Sequence, residues 1–429
     1  MSQSFWRSTQ IRSYFLNLFF RSSGIGFRFL IPISIIFLDK PDELGLYYLA
    51  TSIMAGVSIF GGMELALFFS IKFKQKENIL KQEIVANFFW ALCAFNLFLI
   101  FFVISSVALW SKNLPELFFL IILALAVESV SYEVGRFFWN LGEVKKVSLR
   151  DFFRPLGFAI SILVSLYLHD KILTLTSLII FIVINSLIVF IEMKSYTFSG
   201  SFKRTIYWIR NLKIKIFLRE FLNRVGPQFL QNQILAALLI LERTLFTVVL
   251  GLAFLGSYAF VFSVISTISH LIYMPMILKV REIIIANQVS NSDKFPFEES
   301  VKLLWVVIFV TFIICLLMAI IGQKLAISFG KELDFSPIVI ITVGISSITY
   351  AFAAAVSPLF SHKNSWVLAN TLTFISSFPM LIVLYDVSFF GENSKLIVLS
   401  SILTTAILQL IFRITFFKFK IRSFKSAIH

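Results

Sequence analysis

The sequence predicts an all-α polytopic membrane protein with about twelve transmembrane helices in two six-helix lobes. Three observations predict it. First, the 429 residues are 58% hydrophobic and only 14% charged, where soluble domains carry about a quarter charged residues. Second, apolar runs bounded by charges and turn residues recur along the whole chain, each long enough to cross ~30 Å of hydrocarbon at 1.5 Å rise per residue. Third, the basic residues are distributed with a strong side preference. With the N-terminus inside, the outward loops hold six of 38 Lys and Arg, four more lie within spans, and 28 fall inside. This positive-inside pattern sets both termini in the cytoplasm and requires an even number of spans. It also accounts for the net charge of +15 without a nucleic-acid partner.

The spans cover roughly 14–38, 45–70, 84–110, 115–139, 150–168, 172–193, 227–250, 254–278, 302–322, 336–360, 364–385 and 395–416. The first follows Arg7 and Arg12 and is too long for a signal-peptide core, so it reads as an uncleaved span. Cys93 and Cys315 sit mid-span and read as small buried hydrophobes. Residues 202–224 interleave Ile206, Trp208, Leu212 and Phe217 with Lys203, Arg210 and Lys215, the pattern of an interfacial helix on the cytoplasmic leaflet. The expected organisation is an N-terminal lobe over 1–196, a basic amphipathic linker over 197–224 and a C-terminal lobe over 225–429.

An internal repeat supports two related halves. Leu44-Gly45-Leu46-Tyr47 enters the second span, and Leu255-Gly256-Ser257-Tyr258 enters the eighth. Their offset is 211 residues, about half the chain. Six spans per half imply parallel rather than inverted repeats.

Charges inside spans mark candidate functional residues, because each costs at least ~2.5–3.5 kcal/mol at the bilayer centre. Arg21 and Arg28 share one stripe of the first span with Asn17 and Gly24. Arg136 and Arg243 lie in spans four and seven. Glu64, Glu128, Glu133 and Glu242 oppose them, and His270 lies in span eight. Depth along the helices pairs Arg21 with Glu64 and sets Glu128 level with Arg28. Glu133 and Arg136 are i, i+3 and can pair. Glu242 and Arg243 are adjacent, so they are expected to point about 100° apart, toward different partners.

Six-plus-six helices, the two Leu-Gly-x-Tyr segments, Gly61-Gly62-Met63-Glu64 and Glu242-Arg243 together resemble the MOP exporter superfamily, and within it the Wzx-type polysaccharide flippases. Family members often carry Asp-Arg at the last position. The resemblance implies a flippase for undecaprenyl-diphosphate-linked oligosaccharide repeat units in the bacterial inner membrane, working by alternating access in O-antigen or other surface polysaccharide synthesis. It implies that spans 1, 2, 7 and 8 line a central cavity. Arg28, Arg21, Arg243 and Arg136 would then be the substrate-binding residues, since guanidinium matches phosphate oxygens and stays charged. Glu242 and His270 are the candidates for a coupling proton, and a carboxylate for Na+. No resident cofactor is expected. Partners would be the lipid-linked oligosaccharide, the bilayer and other polysaccharide assembly proteins.

Two alternatives stand beside this reading. A MATE-like cation-coupled antiporter of small molecules shares the topology but tends to use acidic residues. A polytopic oligosaccharide polymerase needs a large outward loop, and the longest here, roughly 322–335, is short. Catalytic signatures such as a P-loop, HExxH or GxSxG are missing from the sequence.

Overall fold

The computed structural model describes residues 2–62, 64–74, 78–110, 116–141, 143–197, 219, 221, 223, 225–289, 297–322, 324, 335–360, 366–385 and 394–426. Most of the amphipathic linker at 202–224 and of the outward loop at 322–335 lies outside them, as do the side chains of Arg21 and His270.

Every described element is helical. In chain order these are α1 (Ser2–Phe37), α2 (Pro41–Gly62), α3 (Leu65–Lys74), α4 (Asn78–Trp110), α5 (Glu116–Leu141), α6 (Val144–His169) and α7 (Leu175–Thr197). They continue with α8 (Gly226–Val289), α9 (Phe297–Leu317) with a π turn at Met318–Gly322, α10 (Pro337–Phe360), α11 (Trp366–Ile375), α12 (Phe378–Tyr385) and α13 (Ser394–Ser426). Seven of the described apolar segments are long enough to cross a membrane, and one of these, Phe229–Ser269, has double length. Four shorter apolar stretches, in α1, α4, α10 and α11–α12, complete the twelve expected crossings.

The side chains turned outward explain why this surface needs lipid. Leu97, Phe98 and Phe101 on α4 are 60–71% exposed, as are Trp305, Phe309 and Phe312 on α9, at 64–67%. On α9 they recur at i, i+4, i+7, a single apolar stripe facing away from the core. So much large apolar area on one stripe is a liability in water and a fit in hydrocarbon. Cys93 and Cys315 are free thiols, half-buried rather than buried.

The chain divides into two compact units. One holds Met1–Ser34 and Ile53–Val225, the other Ile35–Ser52 and Gly226–His429. The first unit's core is aromatic. Phe88 and Phe137 stack at 4.4 Å between α4 and α5, and Phe69 and Phe68 continue the cluster toward Phe221. In the second unit, Ile277, Val280, Leu303, Val307, Ala351 and Phe352 form a core joining α8, α9 and α10.

Two local breaks have clear causes. α8 carries spans seven and eight, joined at Gly251 with φ 86° and ψ 169°. Only glycine adopts that backbone without strain. Gly251→Ala should therefore lower stability by about 1–3 kcal/mol, read as a fall in melting temperature of the purified protein, although open space surrounds the position. Span two breaks between α2 and α3 at Glu64, whose φ is 57°. Glu64 then starts α3, its carbonyl accepting from the Leu67 and Phe68 amides at 3.1 and 3.2 Å.

The internal repeat acquires a physical meaning in the second unit. The two Leu-Gly segments touch. A Cβ built on Gly256 would lie 2.9 Å from the Gly45 nitrogen and 3.0 Å from the Pro41 carbonyl. One built on Gly45 would run into the Leu252 backbone. The repeat is thus a crossing at which both helices need glycine to approach backbone to backbone.

Candidate functional site

In the first unit the charges gather where α2–α3, α5, α6 and α7 pack. The break at Glu64 is held by α5. Gly62 leaves the room that the Glu133 side chain occupies, and a Cβ there would overlap it. Glu133 Oε2 accepts the Ala66 amide at 2.9 Å, capping one of the orphan donors at the start of α3. Arg136 donates from Nη1 to Glu133 Oε1 at 2.7 Å and to Glu64 Oε1 at 2.9 Å, and from Nη2 to Glu64 Oε2 at 2.5 Å. The local i, i+3 pair expected on α5 therefore forms. Glu64 is gripped at both oxygens by Arg136, and the Arg21 side chain expected opposite it lies outside the described residues.

Further along α5, Ser131 and Glu128 meet α6. Arg150 donates to Glu192 on α7 at 2.5 Å and to Ser131 at 2.7 Å, and Asn185 completes the set from α7. Arg154 forms an ion pair with Glu128. Glu128 was expected to compete for Arg28, and this pairing corrects that expectation. Arg150, Arg154 and Glu192 were missed because the sequence placed 150 at the mouth of a span, where a basic residue counts as a cytoplasmic charge. In the structure α6 begins at Val144, and Arg150 is only 5% exposed. Arg413 on α13, counted with the cytoplasmic charges, is also buried. Arg28 is exposed on α1 and, among the described residues, makes no ion pair.

In the second unit a separate cluster surrounds span seven. Glu242 accepts from the Tyr258 hydroxyl at 2.9 Å and the Tyr350 hydroxyl at 3.3 Å. Arg243 Nη1 stands 4.0 Å from Glu242 Oε1. Its guanidinium lies over the rings of Tyr258 at 5.3 Å and Phe262 at 5.1 Å, and its Nε and Nη1 have no hydrogen-bond partner among the described residues. Glu242 and Arg243 do share a partner, contrary to the expectation from their 100° offset. Tyr258 serves both, by its hydroxyl for one and its ring face for the other. Tyr258 is the last residue of the second Leu-Gly-x-Tyr segment, so the repeat and the charge pair belong to one construction.

No protein-family model matches the chain, and no curated protein does. Solved structures match its fold. An inward-facing MATE family multidrug resistance transporter of the MOP superfamily aligns over 96% of both chains with a TM-score of 0.60 and 10% identity. The MATE multidrug transporter DinF-BH, solved with a ligand, aligns over 94% of both chains at 0.61 and 11%. An outward-facing MATE family transporter aligns over 98% of this chain and 94% of its own at 0.55 and 9%. At these identities the likeness concerns the fold, which is that of the MATE transporters of the MOP superfamily.

Proposed function

We propose that this chain is a secondary transporter that carries an organic substrate across the membrane by passing between inward-facing and outward-facing states. The observation that supports it is the likeness of fold, over nearly the whole chain, to transporters solved in both states. On cargo, this likeness favours the cation-coupled antiport of small molecules over the polysaccharide flippase, since the neighbours above are multidrug transporters and none is named for a lipid-linked sugar. Glu242 supplies the coupling group in this reading. Its carboxylate is 2% exposed, held by two tyrosines and adjacent to one arginine, so proton uptake there would release Arg243 and Tyr258 from their shared partner.

A second reading, the flippase for undecaprenyl-diphosphate-linked oligosaccharide in the bacterial inner membrane, is favoured by the charges. Glu64, Glu128, Glu133, Glu192 and Glu242 are each already bonded by arginine or tyrosine, which leaves little for a cationic substrate. Arg28 on α1 is exposed and, among the described residues, makes no ion pair.

Reconstitution into proteoliposomes separates the two. Antiport predicts pH-gradient-driven uptake of cationic dyes, lost in Glu242→Gln with the fold intact. The flippase predicts movement of lipid-linked repeat units between leaflets and no dye uptake. A protein that moves neither under any imposed gradient would overturn the transporter reading.

A further inference from the structure

Span two is held broken by side chains from two other helices. In a continuous helix the Leu65 and Ala66 amides would donate to the carbonyls four residues back, those of Gly61 and Gly62. Here the Ala66 amide donates to Glu133 Oε2 of α5 at 2.9 Å, and Asn96 of α4 donates from Nδ2 to the Gly61 carbonyl at 3.2 Å. One end of each ladder bond across the break is thus taken by a side chain. The Glu133 side chain also fills the space beside Gly62, where a Cβ would lie 2.1 Å from its Cγ. The break passes through Glu64 at φ 57°, a region unfavourable for a residue with a side chain. Without the Glu133 bond, the Ala66 amide has an acceptor one turn back, in the helix's own ladder.

Glu133 is 0% exposed and both its oxygens accept, Oε2 from the Ala66 amide and Oε1 from Arg136 Nη1 at 2.7 Å. The same nitrogen serves Glu64 Oε1 at 2.9 Å, so two carboxylates meet at one donor. Like charges this close favour a proton held by the pair. Glu64 takes both nitrogens of the guanidinium and Glu133 only one, so Glu133 is the less firmly held and takes the proton. Around it stand Tyr132, whose ring lies 5.7 Å from the Arg136 guanidinium, and Arg150 of α6, which lies against Gly135 and is paired with Glu192 of α7. α3 carries no charged residue before Lys72, and α4 carries none between 84 and 110. Arg136 keeps 20% of its side chain accessible, which gives a proton a way in. We propose that Glu133 is a proton-binding site whose ionised form latches span two in its broken shape. Oε1 goes on accepting from Arg136, so the proton adds to Oε2. That oxygen then carries an O–H facing the Ala66 N–H, donor against donor. The amide turns to the Gly62 carbonyl, and the two halves of span two rejoin across the break. One proton binds, one hydrogen bond changes acceptor, and nothing leaves. The site belongs to the first unit, whereas Glu242 belongs to the second, and it depends on neither cargo reading.

Magic-angle-spinning NMR of the full-length protein in lipid bilayers tests the site, with carbon-labelled glutamate and nitrogen-labelled alanine. On acidification the Glu133 carboxyl resonance should move from its ionised to its protonated position, and the Ala66 amide resonance should move with it. Glu133→Gln should hold the Ala66 amide at its acid position at every pH, because the Gln amide group presents donors where Oε2 accepted. Asn96→Ala removes the other hold on the break. It should carry both transitions toward neutral pH by about half to one pH unit, the worth of one hydrogen bond. A group that merely titrated beside the break would not respond to Asn96. A Glu133 carboxyl that stays ionised at every pH at which the protein remains folded overturns the site. An Ala66 amide that stays still while Glu133 takes up its proton overturns the latch. Should Glu133→Gln fail to fold, the wild-type titration and Asn96→Ala still decide both points.

Discussion

Arg136→Ala should cost the first unit about 3–5 kcal/mol, the loss that follows when one partner of a buried ion pair is removed. Glu64 and Glu133 are both 0% exposed, and the guanidinium between them is the cation both oxygen sets share. Without it, two buried carboxylates lose the cation they share, and Glu64 sits at a backbone position already held at φ 57°. The α2–α3 break then loses the arginine that ties it to α5. Arg136→Lys should recover only part of the loss, because one ammonium cannot reproduce a fork whose two ends are engaged separately. Arg136→Gln combined with Glu64→Gln should be milder than Arg136→Ala alone, since one of the stranded charges leaves with its partner. Melting of the purified full-length protein, followed by tryptophan fluorescence, measures each. A melting temperature for Arg136→Ala equal to that of the parent would mean that the triad does not hold the break.

The sequence carried the crossings far better than the contacts. A span is fixed by bilayer thickness and apolar content, both of which are written locally, so twelve crossings could be counted before any geometry was known. The Glu133–Arg136 pair was legible for the same reason: three residues on one helix fix the spacing. Pairs between helices were not. Arg21–Glu64 and Arg28–Glu128 were inferred from depth alone, and depth does not say which helix is adjacent. Arg154 reached Glu128, and Arg136, from a third helix, holds Glu64 at both oxygens. The break in span two was hidden because nothing in the local sequence around Gly61-Gly62 shows that a glutamate from span four needs that space. The offset between Glu242 and Arg243 was right for their Cα–Cβ bonds and wrong for their heads, since Tyr258 is broad enough to meet both. The Leu-Gly-x-Tyr repeat was visible as a pattern at matching places. That the two copies meet each other is information held only by the fold.

That meeting makes Gly45→Leu the second large effect expected. Even the first carbon added at Gly45 would sit 2.6 Å from the Leu252 carbonyl carbon and 2.9 Å from its Cα. These are backbone atoms, so no side-chain rotation relieves the overlap. Gly256 faces back onto Gly45 and Pro41, so the crossing has no slack on the opposite helix either. Overpacking of a tight core costs about 1–3 kcal/mol where neighbours can shift, which is the range expected for Gly45→Ala. Leucine adds three more carbons against a fixed backbone, and about 3 kcal/mol or more should follow. The damage should reach the charge cluster, because Tyr258 lies two residues beyond Gly256 and donates to Glu242 at 2.9 Å. Displacing it would take from Glu242 a hydrogen bond and from Arg243 an aromatic face. Gly45→Leu should therefore lose coupled transport even at temperatures where the protein remains folded, whereas Gly26→Leu on α1, where an added carbon meets nothing within 4 Å, should keep it. Parallel melting curves and proteoliposome uptake for the two variants measure the difference. Equal stability and equal transport in both would mean that the Leu-Gly crossing is not a tight contact.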